Sequence, residues 1–69
     1  MKAEVEKLKI LLDHWIEHNA EHSKSFRSWA EKAREFKLTE VASDMLSAAK
    51  EMDKSSEYLK AALSKLEGK

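Results

Sequence analysis

Three histidines stand four residues apart near the start of this chain, and their spacing could serve metal binding. They are His14, His18 and His22, the only histidines among 69 residues. Residues i, i+4 and i+8 lie along one side of an α-helix, so two neighbouring imidazoles can reach one divalent ion. The first and third lie about 12 Å apart along the helix axis, which is too far to share an ion. His18 and His22 therefore form the better pair.

Acidic residues with the same spacing accompany these histidines. Asp13, Glu17 and Glu21 form a second stripe beside the first, and their mutual repulsion would be relieved by a bound cation. Glu17 or Glu21 could supply an oxygen ligand, or could accept a hydrogen bond from an imidazole N–H. Imidazole with carboxylate suits zinc, nickel, cobalt or iron. The candidate metal ligands are His14, His18, His22, Glu17 and Glu21.

The composition predicts long helices and excludes several classes of site. The chain has no cysteine, no proline and a single glycine, and 38% of its residues are charged. Disulfides and thiolate metal sites are therefore excluded. Thirteen basic and 13 acidic residues balance to zero net charge, which argues against a nucleic-acid-binding protein. No apolar run approaches the length that spans a membrane. We expect a soluble, cytoplasmic protein.

Two helices, at about 4–36 and 40–66, account for the scaffold. Each half of the chain carries apolar residues at alternating steps of three and four, which is the heptad pattern of packed helices. The break between them predicts Lys37 in a left-handed conformation, Leu38 packed back on the first helix, and Thr39 as N-cap of the second. A connection this short makes the helices antiparallel neighbours. We predict an all-α fold with a single helical-hairpin domain over residues 1–69.

The two heptad series also predict which side chains lie between the helices. In the expected register Trp15 faces Ala62 and Trp29 faces Ala48, so that large side chains pack against small ones. The first series is Val5, Leu8, Leu12, Trp15, Asn19, His22, Phe26, Trp29, Ala33 and Phe36. The second series is Val41, Met45, Ala48, Met52, Ser55, Leu59, Ala62 and Leu66.

A second apolar stripe remains on one flank of this predicted hairpin. Two helices have too little core to bury it, so it is expected to pack against another copy of the chain. The result would be a homodimeric four-helix bundle. The residues predicted at the dimer interface are Ile16, Ala30, Ala42, Leu46, Ala49 and Leu63.

Two functional interpretations follow. In the first, the chain binds a divalent transition metal through the histidine stripe, with Glu51, Ser55 and Tyr58 of the second helix close to His22. In the second, it is a non-catalytic homodimerisation or adaptor module, and His22 with Asn19 forms a structural polar layer. An enzyme is not expected, because no catalytic triad spacing and no glycine-rich phosphate loop occur.

The motif H-W-I-E-H-N-A-E-H, followed by F-R-S-W-A-E-K-A, resembles a family of short, uncharacterised helical proteins from archaea and bacteria. The resemblance covers residues 11–66. It implies a helical hairpin and a link to the handling of transition metals. The repeated H-x3-H is also similar to the diiron site of hemerythrins, but the E-x-x-x-H and H-x4-D partners of that site are missing.

Overall fold

Two long helices joined by a tight turn form the whole architecture. The computed structural model describes residues 1–68, with α1 at Lys2–Glu35 and α2 at Thr39–Leu66. The helices lie antiparallel along each other in a hairpin whose Cα atoms extend over 52 × 16 × 13 Å. The predicted all-α hairpin is confirmed, and the predicted helix ends differ from the observed ones by at most two residues.

The turn takes the left-handed conformation that the sequence predicted. Lys37 has φ of 69°, and its N–H donates to the Arg34 carbonyl at 2.9 Å. The Leu38 N–H donates to the Ala33 carbonyl, also at 2.9 Å. These two bonds close the end of α1 as a Schellman motif. Thr39 does not cap α2, however, because it is already the first helical residue and Leu38 occupies the N-cap position without a side-chain hydrogen bond.

Small side chains fill the space between the helices. Ser23 donates a hydrogen bond from its hydroxyl to the Ala49 carbonyl at 3.4 Å, which requires close approach of the two backbones. Alanine and serine at a helix contact permit the shorter axis separations of about 8 Å. Met45 and Leu46 pack against the alanine cluster near the turn. The buried residues are Leu12, Ser23, Ala30, Ala33, Ala42, Ala49 and Ser56.

Each helix is rotated relative to the predicted register. Half of the predicted contact positions are kept, including Leu12 and Ala33, and all of the others except Phe36 are replaced by the residue one place later in the sequence. Trp15 and Trp29 consequently keep 42% and 55% of their surface exposed. The predicted burial of these tryptophans against Ala62 and Ala48 is therefore wrong.

This rotation places the predicted dimer stripe inside the hairpin. Ala30, Ala42 and Ala49 are at most 2% exposed within a single chain, so they are not available to a second copy. Ile16, Leu46 and Leu63 from the same stripe are partly buried. The physical reason is size, because small side chains let the two helices of one chain close on each other, whereas tryptophan holds them apart. We name Ile16, Ser23 and Ala30 of α1 with Ala42, Ala49, Ser56 and Leu63 of α2 the small-residue interface.

Candidate functional site

The histidine stripe lies on the outer surface of α1, and two of its members meet. All three imidazoles are exposed. The Nε2 atoms of His18 and His22 are 2.7 Å apart, a hydrogen-bond distance at which one neutral ring donates and the other accepts. The spacing of four residues brings the side chains together, as the sequence predicted for this pair. The two Nε2 atoms therefore face each other at the surface of α1.

This separation is close to the one required by a shared metal ion. Two imidazoles bound to one tetrahedral ion at about 2.0–2.1 Å place their nitrogens roughly 3.3 Å apart. Opening the observed 2.7 Å contact to that distance needs only small side-chain rotations, and both rings are exposed. The donor ring would also have to move its proton to Nδ1, because a metal binds the lone pair on nitrogen.

Phe26 contacts His22 of the pair, a role that was not predicted for it from the sequence. Its ring stacks on His22 with centroids 5.7 Å apart and planes 16° from parallel. Phe26 is partly buried between the helices, so it gives the His22 ring a rigid neighbour. The signal in the sequence is the i, i+4 spacing of an aromatic residue after His22.

The remaining predicted ligands are not brought into the same cluster. The His14 ring lies edge-on to His18 with centroids 5.8 Å apart. Across residues 1–68, no group of three or more histidine, aspartate or glutamate side chains is placed to hold a metal ion. Glu17 and Glu21 thus stand beside the pair without completing it. One chain brings two imidazoles together.

The residues expected from α2 do not close over His22 either. Glu51 lies 3.8 Å from Lys54 on its own helix, and Tyr58 is largely exposed. Because α1 is rotated away from the predicted register, His22 projects outward and not between the helices. The pair is therefore open to a ligand from outside the chain.

An exposed surface of mostly apolar residues includes His22 of the pair, and we name it the aromatic face. In both helices it consists of the residues that immediately precede the small-residue interface. In an antiparallel hairpin this offset turns both sets to the same side. From α1 it presents Leu8, Trp15, His22, Trp29 and Phe36, all exposed. The heptad pattern predicts these residues between the helices, so that part of the prediction is wrong.

The opposite side of the hairpin is polar and carries an ion pair between the helices. Arg27 donates to the Asp53 carboxylate at 2.6 Å. The Ser23 hydroxyl and the Arg27 guanidinium lower the pKa of Asp53 below its ordinary value of 3.8. An open groove beside this pair is lined by Ile16 and Ala20 of α1 with Ser56 and Lys60 of α2. The two sides of the hairpin thus differ in polarity.

The hydropathy of the two helices, over the described residues, bears on membrane insertion. Neither helix contains a segment with the length and hydropathy that crossing a bilayer requires. Their exposed surfaces also carry the charged residues of several ion pairs within one helix, including Lys9 with Glu6 and Lys60 with Glu57.

The comparisons with known proteins give a family without a stated activity. No curated protein and no solved structure matches the chain. A sequence family described as a domain of unknown function (DUF8180) matches residues 8–66. The matched segment includes the histidine stripe, the turn and nearly all of both helices, in agreement with the resemblance to an uncharacterised helical family. The chain therefore belongs to the DUF8180 family of domains of unknown function.

Proposed function

We propose that this protein binds a divalent transition metal ion through His18 and His22. The observation that carries the proposal is the 2.7 Å separation of their Nε2 atoms on the outer surface of α1. Two imidazoles one helical turn apart form a chelate whose backbone is already rigid, so binding orders only the side chains. Glu17 and Glu21 lower the local potential and favour a cation near the pair.

The donor set selects among metals. Neutral imidazole nitrogens suit zinc, nickel, cobalt and iron, whereas magnesium and calcium prefer oxygen ligands. Nickel should bind more tightly than cobalt, and cobalt more tightly than iron, because affinity at such sites follows this order. Zinc is favoured where four ligands can be arranged as a tetrahedron.

The test is calorimetric titration of the chelator-treated protein with zinc, nickel and cobalt. We expect wild type to bind, and His18→Ala and His22→Ala each to lose most of the affinity. At free metal about 100 times the dissociation constant, binding should stabilise the fold by about 2.7 kcal/mol. The matched control is His14→Ala, which removes a histidine of the same stripe outside the converging pair and should bind nearly as wild type.

Two results would contradict the metal proposal. Identical heats for wild type and His22→Ala would place any binding elsewhere in the chain. Identical melting curves with chelator and with excess zinc, nickel or cobalt would leave the histidines with a structural role only.

A second candidate function is non-catalytic self-association, with the histidines structural. The exposed aromatic face favours it, because monomers rarely leave tryptophan and phenylalanine together in solvent. In this case His18→Ala would leave both stability and assembly nearly unchanged. The two candidates assign no chemical reaction to the chain.

A further inference from the structure

One chain brings only two imidazoles together, which leaves a four-coordinate metal site incomplete. His22 of this pair lies on the aromatic face. We infer that a second copy of the chain docks on this face and completes a four-imidazole metal site. This inference rests on the proposed metal binding. The site would consist of His18 and His22 from each copy, which gives the tetrahedral four-ligand set of closed zinc sites.

A second copy suits this face in size. The hairpin is 52 Å long and 16 Å wide, so one side offers roughly 800 Å² in outline, about the area each partner contributes to a standard interface. The zero net charge of the chain places no overall repulsion between identical copies. A homodimer would also give the chain the core it lacks, since within residues 1–68 no large side chain is completely buried.

The order of residues along α1 points to one arrangement of the two copies. The face presents Leu8, Trp15, His22, Trp29 and Phe36 at intervals of seven. The series is symmetric about His22, with a tryptophan seven residues to either side and a large apolar residue fourteen to either side. In an isologous interface residue i contacts residue j and j contacts i. Antiparallel α1 helices related by a two-fold axis at His22 would therefore pair Trp15 with the second copy's Trp29.

The second helix carries a matching series of small residues. It presents Val41, Ala48, Ser55 and Ala62, all exposed, and the last three are symmetric about Ser55. Ser55 lies within about one helical turn of the level of His22, because residues 16 and 20 line the same groove as residues 56 and 57. Alanine at these positions leaves room for the tryptophan rings between the two copies.

The axis would bring the four imidazoles together. Because the Nε2 atoms of His18 and His22 already lie 2.7 Å apart, any axis passing close to one passes close to both. The second copy adds the same pair from the opposite direction. A metal ion bound there would accept four nitrogen lone pairs, and each ring would keep its remaining proton on Nδ1.

The first experiment measures mass and stoichiometry together. Analytical ultracentrifugation of the zinc-loaded protein should give twice the chain mass of 8.0 kDa, with one zinc per two chains. Trp29→Glu should shift the population to monomer and weaken zinc binding at least tenfold. The matched control is Ile10→Glu, another exposed large residue on α1 but outside the aromatic face, and it should remain a dimer.

The second experiment tests the position of the axis. Wild type contains no cysteine, so a single Ser55→Cys variant reports one contact. Under mild oxidation it should form a disulfide-linked dimer, because residues at a two-fold axis meet their own counterparts within disulfide range. Ser47→Cys, on the outer side of α2, should stay monomeric under the same conditions.

The outcomes separate this inference from the proposed function. A monomer at every concentration that binds one zinc per chain would overturn the inference and leave metal binding intact. Equal cross-linking of Ser55→Cys and Ser47→Cys would overturn the two-fold arrangement. A chain that dimerises but binds no metal would overturn the proposed function, and the four-imidazole site with it.

Discussion

The small-residue interface and the aromatic face lie side by side on both helices. Burial on these two surfaces is the reverse of what side-chain hydrophobicity alone would predict. Alanine and serine occupy the buried positions, as at Ala49 and Ser23, while Trp15 and Trp29 stand exposed next to them. Greater hydrophobicity alone would bury the tryptophans, since each ring carries far more apolar area than a methyl group.

The difference shows that close approach of the two helix backbones, and not the apolar area of the side chains, determines which residues are buried within the hairpin. Small residues seven positions apart, Ser23 and Ala30 in α1 with Ala42, Ala49 and Ser56 in α2, allow the two helices to approach closely. This arrangement leaves the large rings on an adjoining surface, where a partner with its own rings can enclose them. One chain therefore uses two kinds of contact, a close one within the hairpin and a bulky one outside it.

The comparison predicts that enlarging a buried alanine is harmful. Ala49→Leu should lower the free energy of unfolding by roughly 1–3 kcal/mol, because extra methylenes force the helices apart. Chemical denaturation followed by circular dichroism measures this change. The control is Ala61→Leu, on the exposed outer side of the same helix, where about 0.5 kcal/mol or less is expected. Equal effects at the two positions would show that close approach is not what stabilises the hairpin.

The location of this close contact was the part of the fold that the sequence could not determine. The hairpin, its ends and the left-handed Lys37 follow from local signals, namely heptad spacing and the absence of breakers outside one short segment. The choice between neighbouring stripes, containing Trp15 and Ile16 respectively, depends on how two helices fit each other. Both stripes repeat every seven residues, so periodicity within one helix cannot distinguish them.

The candidate site also has one feature that the sequence predicts and others that it does not. The pairing of His18 with His22 follows from helix geometry alone, and the spacing predicted it. Side-chain rotamers determine that His14, Glu17 and Glu21 lie apart from the pair. The contact of Phe26 with His22 likewise depends on how the two rings are oriented. These are tertiary and rotameric features that a spacing rule does not contain.

The turn belongs to neither surface. A substitution there therefore tests the effect of backbone strain on stability without changing the packing between the helices. Lys37→Gly should stabilise the hairpin by about 0.5–1 kcal/mol, because glycine adopts positive φ without a steric penalty. The control is Lys50→Gly, an exposed lysine within α2, which should destabilise by about 1 kcal/mol. Thermal unfolding of both variants measures the opposite signs. A loss of stability in Lys37→Gly would mean that its side chain contributes more than its conformation costs.

A substitution on the polar side of the hairpin should change the free energy of unfolding least, and this change should depend on pH. The Arg27–Asp53 pair is about half exposed at both ends, so solvent weakens it. Because the Ser23 hydroxyl and the Arg27 guanidinium lower the pKa of Asp53 in the folded chain, its carboxylate stabilises the fold at pH values above the ordinary aspartate pKa. That contribution is lost as pH falls through the lowered pKa of the folded state. Asp53→Asn should therefore be less stable than wild type at neutral pH.

Urea denaturation from neutral to acid pH measures this difference in stability between wild type and Asp53→Asn. The gap between wild type and Asp53→Asn should shrink as Asp53 becomes protonated, and it should close once the carboxyl is neutral in both folded and unfolded chains. Glu57→Gln is the matched control, since Glu57 pairs with Lys60 within one helix and does not join α1 to α2. A gap that stays constant with pH would show that Asp53 acts through packing. In that case the polar side would resemble the small-residue interface, and the contrast between the two sides of the hairpin would rest on the aromatic face alone.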